Sequence, residues 1–271
     1  MPALDDHALA ADLAERAGRL LLELRATGGD PDALRNAGDR QSHEFLMAEL
    51  ARKRPGDAVL SEEGLDDKAR LTADRVWIVD PLDGTREFGE PGRRDWAVHV
   101  ALWARDAPAL PGPSSEPRAA SAGPGGLIAG AVALPAQQCV LSTGTAVTFP
   151  ADAGGERPLR MAVSRSRAST LVKDVAALIH AELVPWGSAG AKVATVVTGE
   201  TDVYLHSGGF YEWDTAAPVA VARQRGLHVS RIDGSPVVYN REDPLLPDIL
   251  VCRPAIAPVL LNAIREATHA I

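Results

Sequence analysis

The sequence predicts a layered α/β protein in two parts. Three observations carry that expectation: two amphipathic helices at the N-terminus, a series of short apolar strands after them, and alternating strands and helices beyond about residue 158. Leu9, Leu13, Ala17, Leu20, Leu21 and Leu24 recur at helical spacing and stop at Gly28-Gly29, so residues 5–26 read as one helix. A second helix is predicted from about Asp39 to Lys53, with Phe45, Leu46 and Leu50 inward and Pro55-Gly56 ending it. Asp39 then falls at its start, where an Asp serves either as an N-cap or as a catalytic acid.

The strands follow in order. Ala58 to Leu60 runs into Ser61-Glu62-Glu63-Gly64, Val76 to Val79 is a buried strand, and Trp96 to Trp103 can pack on both faces, with His99 as a sheet histidine. Residues 106–126 change to Pro, Ser, Gly and Ala and read as a flexible hairpin loop, after which Leu127 to Leu134, Gln138 to Leu141 and Ala146 to Phe149 resume the sheet. A boundary is expected near Pro150 to Pro158, dividing residues 1–153 from 154–271. The second part predicts a strand at 159–163, helices at 168–182 and 188–198, and a strand at 201–206. A helix at 214–225, strands at 227–229 and 249–252 and a last helix at 254–267 complete it.

A chain of 271 residues that is 46% hydrophobic can bury a full core. No apolar run approaches the ~20 residues needed to cross a bilayer, and Met1 to Asp6 lacks the basic start of a signal peptide, so a cytoplasmic location and no membrane partner are expected. The two cysteines, Cys139 and Cys252, lie in apolar runs without an Arg six residues on, and read as reduced core residues. A formal charge of −8 argues against a nucleic-acid polymer as partner; a small phosphorylated substrate stays possible where bound cations supply positive charge.

The chain is organised around Val76-Trp77-Ile78-Val79-Asp80-Pro81-Leu82-Asp83-Gly84-Thr85. Two carboxylates three residues apart end a strand, and Gly84 and Thr85 lead towards a short helical turn, which brings hard oxygen ligands beside free backbone N–H groups. Pro, Asp and Gly in this order also make an ordinary type I turn. The spacing fails the EF-hand pattern, and it has one residue too many for an Asp-x-Asp-x-Thr phosphatase with an aspartyl nucleophile. Glu62 repeats the arrangement at the end of its own strand, so neighbouring strands could present both acids to one point. Asp214, before Thr215-Ala216-Ala217-Pro218, is either a helix N-cap or a further ligand.

Together, Ser61-Glu62-Glu63, the Trp77 to Phe88 segment and Glu212-Trp213-Asp214-Thr215-Ala216-Ala217 resemble the three signatures of the inositol monophosphatase superfamily in spacing and order. The forms Pro81 to Phe88, Trp213 to Ala217 and Asp233 to Asn240 resemble its nucleotide-specific branch, which acts on 3'-phosphoadenosine 5'-phosphate. The resemblance implies a layered αβαβα sandwich of the inositol monophosphatase and fructose-1,6-bisphosphatase type. It implies that Glu62, Asp80, the Leu82 carbonyl, Asp83 and Asp214 hold two or three Mg²⁺ ions. Gly84 and Thr85 N–H groups would hold the scissile phosphate, and the Thr85 hydroxyl with Asp39 would orient and deprotonate the attacking water. Ser164-Arg165 would lie near the adenosine and its second phosphate, and Ser188 with Lys192 near the sugar and base; a solvated basic turn and a helix-start Ser are the alternatives. The resemblance further implies inhibition by Li⁺, a role in removing a by-product of sulfate assimilation, and a homodimer. Inositol monophosphate and fructose 1,6-bisphosphate are the alternative substrates, and a non-catalytic nucleotide sensor is the alternative of another class.

Overall fold

The computed structural model describes residues 4–106, 110, 125–145, 157–166 and 168–269. The expected loop at 107–124, the strand at 146–149, the boundary near 150–156 and Arg167 lie outside or almost wholly outside the described residues. Helix α1 (Asp6–Ala26) begins at Asp5, whose carboxylate accepts from Ala8 N–H, and buries Leu9, Leu13, Ala17 and Leu21. Helix α2 spans Pro31–Lys53, capped by Asp30, so the start expected at Asp39 is corrected. Gly28-Gly29 and Pro31 read as breakers in sequence, yet Pro is well suited to the first helical position because its missing N–H would be unsatisfied there anyway. Asp39 is therefore an interior helix residue, and its N-cap role is excluded.

Two five-stranded sheets follow. The first has the order β1 (Ala58–Ser61), β2 (Arg75–Asp83), β3 (Ala97–Ala104), β4 (Gly126–Leu134), β5 (Cys139–Ser142), with β1 and β2 parallel and the remaining pairs antiparallel. A short helix α3 (Thr85–Gly89) leaves the end of β2. The second sheet is built from β6 (Arg160–Ser164), β7 (Glu182–Trp186), β8 (Val203–Tyr211), β9 (His228–Ser230) and β10 (Leu245–Cys252), in the order β7-β6-β8-β10-β9. Its helices are α4 (Thr170–Leu178), α5 (Ala189–Thr198), α6 (Glu212–Gln224) and α7 (Ala257–His269).

The helix expected over 168–182 is shorter, since α4 ends at Leu178, and Glu182–Trp186 beyond it forms the edge strand β7. Pro185 is tolerated there because no further ladder bond is required of it. The turn expected over Asp80 to Gly84 is also corrected, since β2 continues through Asp83.

The alternation of side chains along the strands sorts them into layers. Trp77, Val79, Val98, Val100, Leu102, Ala129 and Ala131 pack against α1 and α2. Their neighbours Val76, Ile78, Ala97, Ala101, Leu127 and Val132 face the other way and share a core with α5, α6 and the inner face of the second sheet. The outer face of that sheet, with Met161, Val163, Val203, Leu205 and Leu250, is covered by α4 and α7. The result is an αβαβα sandwich with α5 and α6 in the middle.

Helix α6 can sit between two sheets because Ala216, Ala217, Ala220 and Ala222 keep it slim; all four are fully buried. A Cβ on Gly130 of β4 would lie 2.7 Å from the Ala220 methyl. Gly130→Ala should therefore overpack this contact and destabilise the protein by about 1–3 kcal/mol. Urea unfolding measures this, and an unchanged midpoint would show that the layers can part without cost.

Candidate active site

Alternation along β2 places Asp80 on the same face as Val76 and Ile78, towards α6. Asp83, three residues on, would face the opposite way in a regular strand. The register against β3 shifts between them, from Asp80 opposite His99 to Asp83 opposite Ala97, so β2 carries one extra residue. That bulge returns both carboxylates to one side. Leu82, between them, donates its N–H to Asp80 Oδ1 at 3.0 Å, while its carbonyl accepts from Thr85 Oγ1 at 3.1 Å.

Asp83 is fixed by the N-terminus of α5. Its Oδ1 accepts from Ala189 N–H at 3.1 Å and its Oδ2 from Gly190 N–H at 2.6 Å. His99 Nε2 lies 3.1 Å from Asp83 Oδ2, and His99 Nδ1 donates to the Trp213 carbonyl at 3.1 Å. Burial opposes charge on both partners, but the attraction between them wins: His99 is raised above the ordinary imidazole value and Asp83 is lowered below the ordinary carboxylate value. The imidazole and the carboxylate form a buried pair. Gly190 makes the close packing possible, because a Cβ there would stand 2.1 Å from His99 Nε2.

The remaining acids converge on this pair. Glu62 continues the line of Leu60 past the end of β1, with its N–H on the Val79 carbonyl at 3.4 Å. Its charge acts on Asp80, and the charges of Asp214 and Asp83 act on it in turn. Asp214, in the first turn of α6, accepts from Tyr211 N–H at 2.6 Å and is held near Asp83. Crowding shows in the proton affinities. Burial, then the charges of Glu62, Asp83 and Asp214, raise Asp80 well above its ordinary value. Burial and Asp214 hold Glu62 at about 7, although much of that residue is at the surface, and burial and Asp83 hold Asp214 at about 6.

Asp80, Asp83 and His99 each offer a ligand atom within 4.8 Å of the others, so this buried group could hold a metal ion. Both His99 nitrogens already face partners, Asp83 and the Trp213 carbonyl, which leaves the oxygens as the available donors. An all-oxygen set suits a hard divalent cation. Four carboxyls forced together in a partly buried cleft, three of them holding their protons more tightly than usual, are the donor set that such a charge would relieve.

A model of the inositol monophosphatase family matches residues 8–269. The chain belongs to that family. The 3'-phosphoadenosine 5'-phosphate phosphatase of Mycobacterium leprae is 50% identical over 266 residues, 97% of this chain and 94% of the relative. Among solved structures, inositol monophosphatase II of Staphylococcus aureus superposes with a TM-score of 0.76 at 19% identity, over 97% of this chain and 96% of that one. CysQ of Bacteroides thetaiotaomicron, a member of the same family, gives 0.71 at 27% identity over 91% and 96%. These neighbours share the layered αβαβα arrangement.

The other expected site residues of this inositol monophosphatase family chain are distributed as follows. Gly84 adopts φ +87°, and a Cβ there would lie 2.9 Å from Ser188 Cβ, so the start of α3 approaches α5 as closely as it does only with glycine. Thr85 Oγ1 lies 3.3 Å from Asp39 Oδ1. Burial, then the charge of Glu63, hold Asp39 at about 6, against the lowering effect of that hydroxyl. Ser188 is buried and caps α5, its Oγ accepting from Ala191 N–H. Lys192 is no solvated basic residue: it is buried, donates to the Gly187 carbonyl, and is lowered to about 8 by burial, against the charges of Asp83, Glu87 and Asp214.

Ser164 and Arg165 line a cavity of about 340 Å³ with Arg86, Glu87, Ser166, Trp186 and Gly187. The Arg165 guanidinium is engaged within the chain, since Nη2 donates at 2.9 Å to both Glu87 and Glu90 of the α3 segment. Sequence reasoning missed the role of His99. The sign was its parity on β3, shared with Ala97 and Ala101, which turns it towards α6.

The raised acids make stability depend on pH. Glu62, Asp214 and Asp39 bind protons more tightly in the folded chain than in the unfolded one. Their stabilisation is complete at low pH and is lost as pH rises through about 6 to 7. The opposite contribution of Asp83 is confined to below about pH 4. Without divalent cations, the protein should melt at a higher temperature near pH 5 than near pH 8. Differential scanning calorimetry across that range tests this, and a reversed slope would mean that the acids do not crowd one another.

Proposed function

We propose that the chain is a Mg²⁺-dependent phosphomonoesterase that hydrolyses 3'-phosphoadenosine 5'-phosphate to AMP and phosphate. The observation that carries the reading is the meeting of Glu62, Asp80, Asp83 and Asp214, from three separate segments, around one centre. The nucleotide substrate is supported by the half-identical relative, which bears the name of that activity over nearly its whole length.

In this reading Glu62, Asp80, the Leu82 carbonyl, Asp83 and Asp214 hold the cations. When bound, these supply Lewis-acid charge that polarises the phosphoryl oxygens, eases deprotonation of water and stabilises the departing alkoxide. The chain's own residues do the rest. Thr85, 3.3 Å from Asp39, orients the attacking water. Asp39, poised at about 6, takes its proton. The water oxygen forms a bond to phosphorus as the bond to the ribose 3' oxygen breaks, and that oxygen takes up a proton. Gly84 and Thr85 N–H groups at the start of α3 receive the phosphoryl oxygens. Glu87 and Glu90 occupy Arg165, so it enters as part of the cavity wall, together with Ser164, and not as an open anion receptor. Ser188 and Lys192, both buried at the start of α5, would stand on the side of the sugar and base.

Phosphate release should be measured with Mg²⁺ for 3'-phosphoadenosine 5'-phosphate, inositol monophosphate and fructose 1,6-bisphosphate. The nucleotide should give the highest kcat/KM by at least about 10²-fold, and Asp80→Asn should reduce kcat by about 10³-fold or more. A preference for inositol monophosphate would overturn the substrate, and turnover that survives Asp80→Asn would overturn the metal assignment. Binding of nucleotide without turnover would favour a sensor.

A further inference from the structure

The segment Asp233 to Asn240, set apart in the sequence, is not explained by the acids themselves. In the fold its last two residues, Tyr239 and Asn240, lie beside the first turn of α6. Tyr239, buried, donates its hydroxyl to Thr215 Oγ1 at 3.1 Å, one residue after Asp214. Asn240 and Arg241 donate their backbone N–H groups to the two carboxylate oxygens of buried Glu212, at 2.7 and 2.8 Å, two residues before Asp214. The turn that carries Asp214 is thus gripped on both sides.

The same Asn240 reaches across to the other half of the molecule. Its Oδ1 accepts from Arg70 Nη1 at 2.8 Å and its Nδ2 donates to the Arg70 carbonyl at 3.3 Å. Arg70 is an arginine with a fully buried side chain, and its Nε and Nη2 donate to Asp66 at 2.6 and 3.0 Å. Asp66 and Arg70 belong to the connection that begins with Glu62 at the end of β1. One continuous chain of hydrogen bonds therefore joins the loop of Glu62 to the turn of Asp214. Asn240 holds φ +59° to make it, a conformation that Asn tolerates better than most residues.

A buried guanidinium is a poor way to gain stability, since an apolar side chain of similar volume would serve as well or better. What it supplies is direction: five donors in a rigid fork fix the relative register of two segments. We propose that Arg70 and Asn240 are positioning residues for the cation site, aligning Glu62 and Asp214, which arrive from opposite halves of the chain. The inference rests on the metal reading above and concerns residues that reading does not use.

The test is Mn²⁺ alone, titrated calorimetrically into the full chain well below its melting temperature. Asn240→Gly keeps the positive φ and the backbone bond to Glu212 while removing the link to Arg70. It should weaken Mn²⁺ binding about ten-fold, the scale at which partners of metal ligands act. Its metal-free melting temperature should fall by only a few degrees, on the order of 1 kcal/mol. Arg70→Lys, which keeps the charge but loses the fork, should weaken Mn²⁺ binding in the same direction. Wild-type Mn²⁺ affinity in Asn240→Gly, whatever its melting temperature, overturns the inference and leaves the metal reading intact. If Asn240→Gly does not fold, Arg70→Lys carries the test alone, and wild-type Mn²⁺ affinity there overturns the inference equally. Binding in the wild type that Asp80→Asn leaves unaltered, or no binding at all, sinks the metal reading and this inference with it.

Discussion

Mutual repulsion among buried carboxyl groups is the constraint around which this protein is built. Asp80 is fully enclosed, and Glu62, Asp83 and Asp214 all act to raise it. Left to themselves, such acids retain protons or drive their segments apart. The fold prevents the second outcome by placing each on a rigid element: the end of β1, the bulged end of β2 and the first turn of α6. What remains is a strong demand for positive charge at one point. The site's chemistry follows from that demand, because a cation drawn into the cluster is also the Lewis acid that phosphate ester hydrolysis requires.

Asp83 is the exception, and it shows how the demand is partly met from within. The N-terminus of α5 already supplies it with two N–H donors, and the imidazole of His99 pairs with it. Its carboxylate is therefore ionised over the whole physiological range, and it draws Asp214 and Glu62 towards their protonated forms. The layers depend on the same contact. Gly190 brings α5 against β3, and the Trp213 carbonyl brings α6 onto His99. The central helices of the sandwich are thus joined to the first sheet through the site itself, so packing and chemistry cannot be separated there.

Much of this could be read from the sequence, and the exceptions have physical causes. The acids declared themselves because each stands where a short apolar strand or an amphipathic helix begins or ends. Parity then assigns Asp80 its face. The bulge did not declare itself: Asp80-Pro81-Leu82-Asp83-Gly84 has the composition of a turn, and only pairing with β3 holds it extended. Asp39 was misplaced because the true cap, Asp30, hides behind a Gly-Gly pair and a Pro that seemed to end one element and in fact begins another. His99 and Arg70 were invisible as functional residues for a related reason. A charged side chain inside a core is legible only through all its partners, and for each of these one partner lies more than a hundred positions away: Trp213 for the first, Asn240 for the second.

The positive residues around the cleft clarify how an acidic chain can attract an anion. Arg165 and Arg86 are both held by Glu90, and Arg165 by Glu87 as well. Lys192 is enclosed and hydrogen-bonded to a carbonyl. Of these three only Arg86 is largely at the surface, and the chain as a whole carries −8. A phosphate group approaching the metal-free cleft therefore meets a negative field. A divalent cation held by the carboxyl cluster would reverse that field locally, and affinity for a phosphate group would then depend on it. In the cavity between β6, β7 and α3, Trp186 presents an aromatic wall beside Ser164 and Ser166, a surface that can read shape where charge is absent.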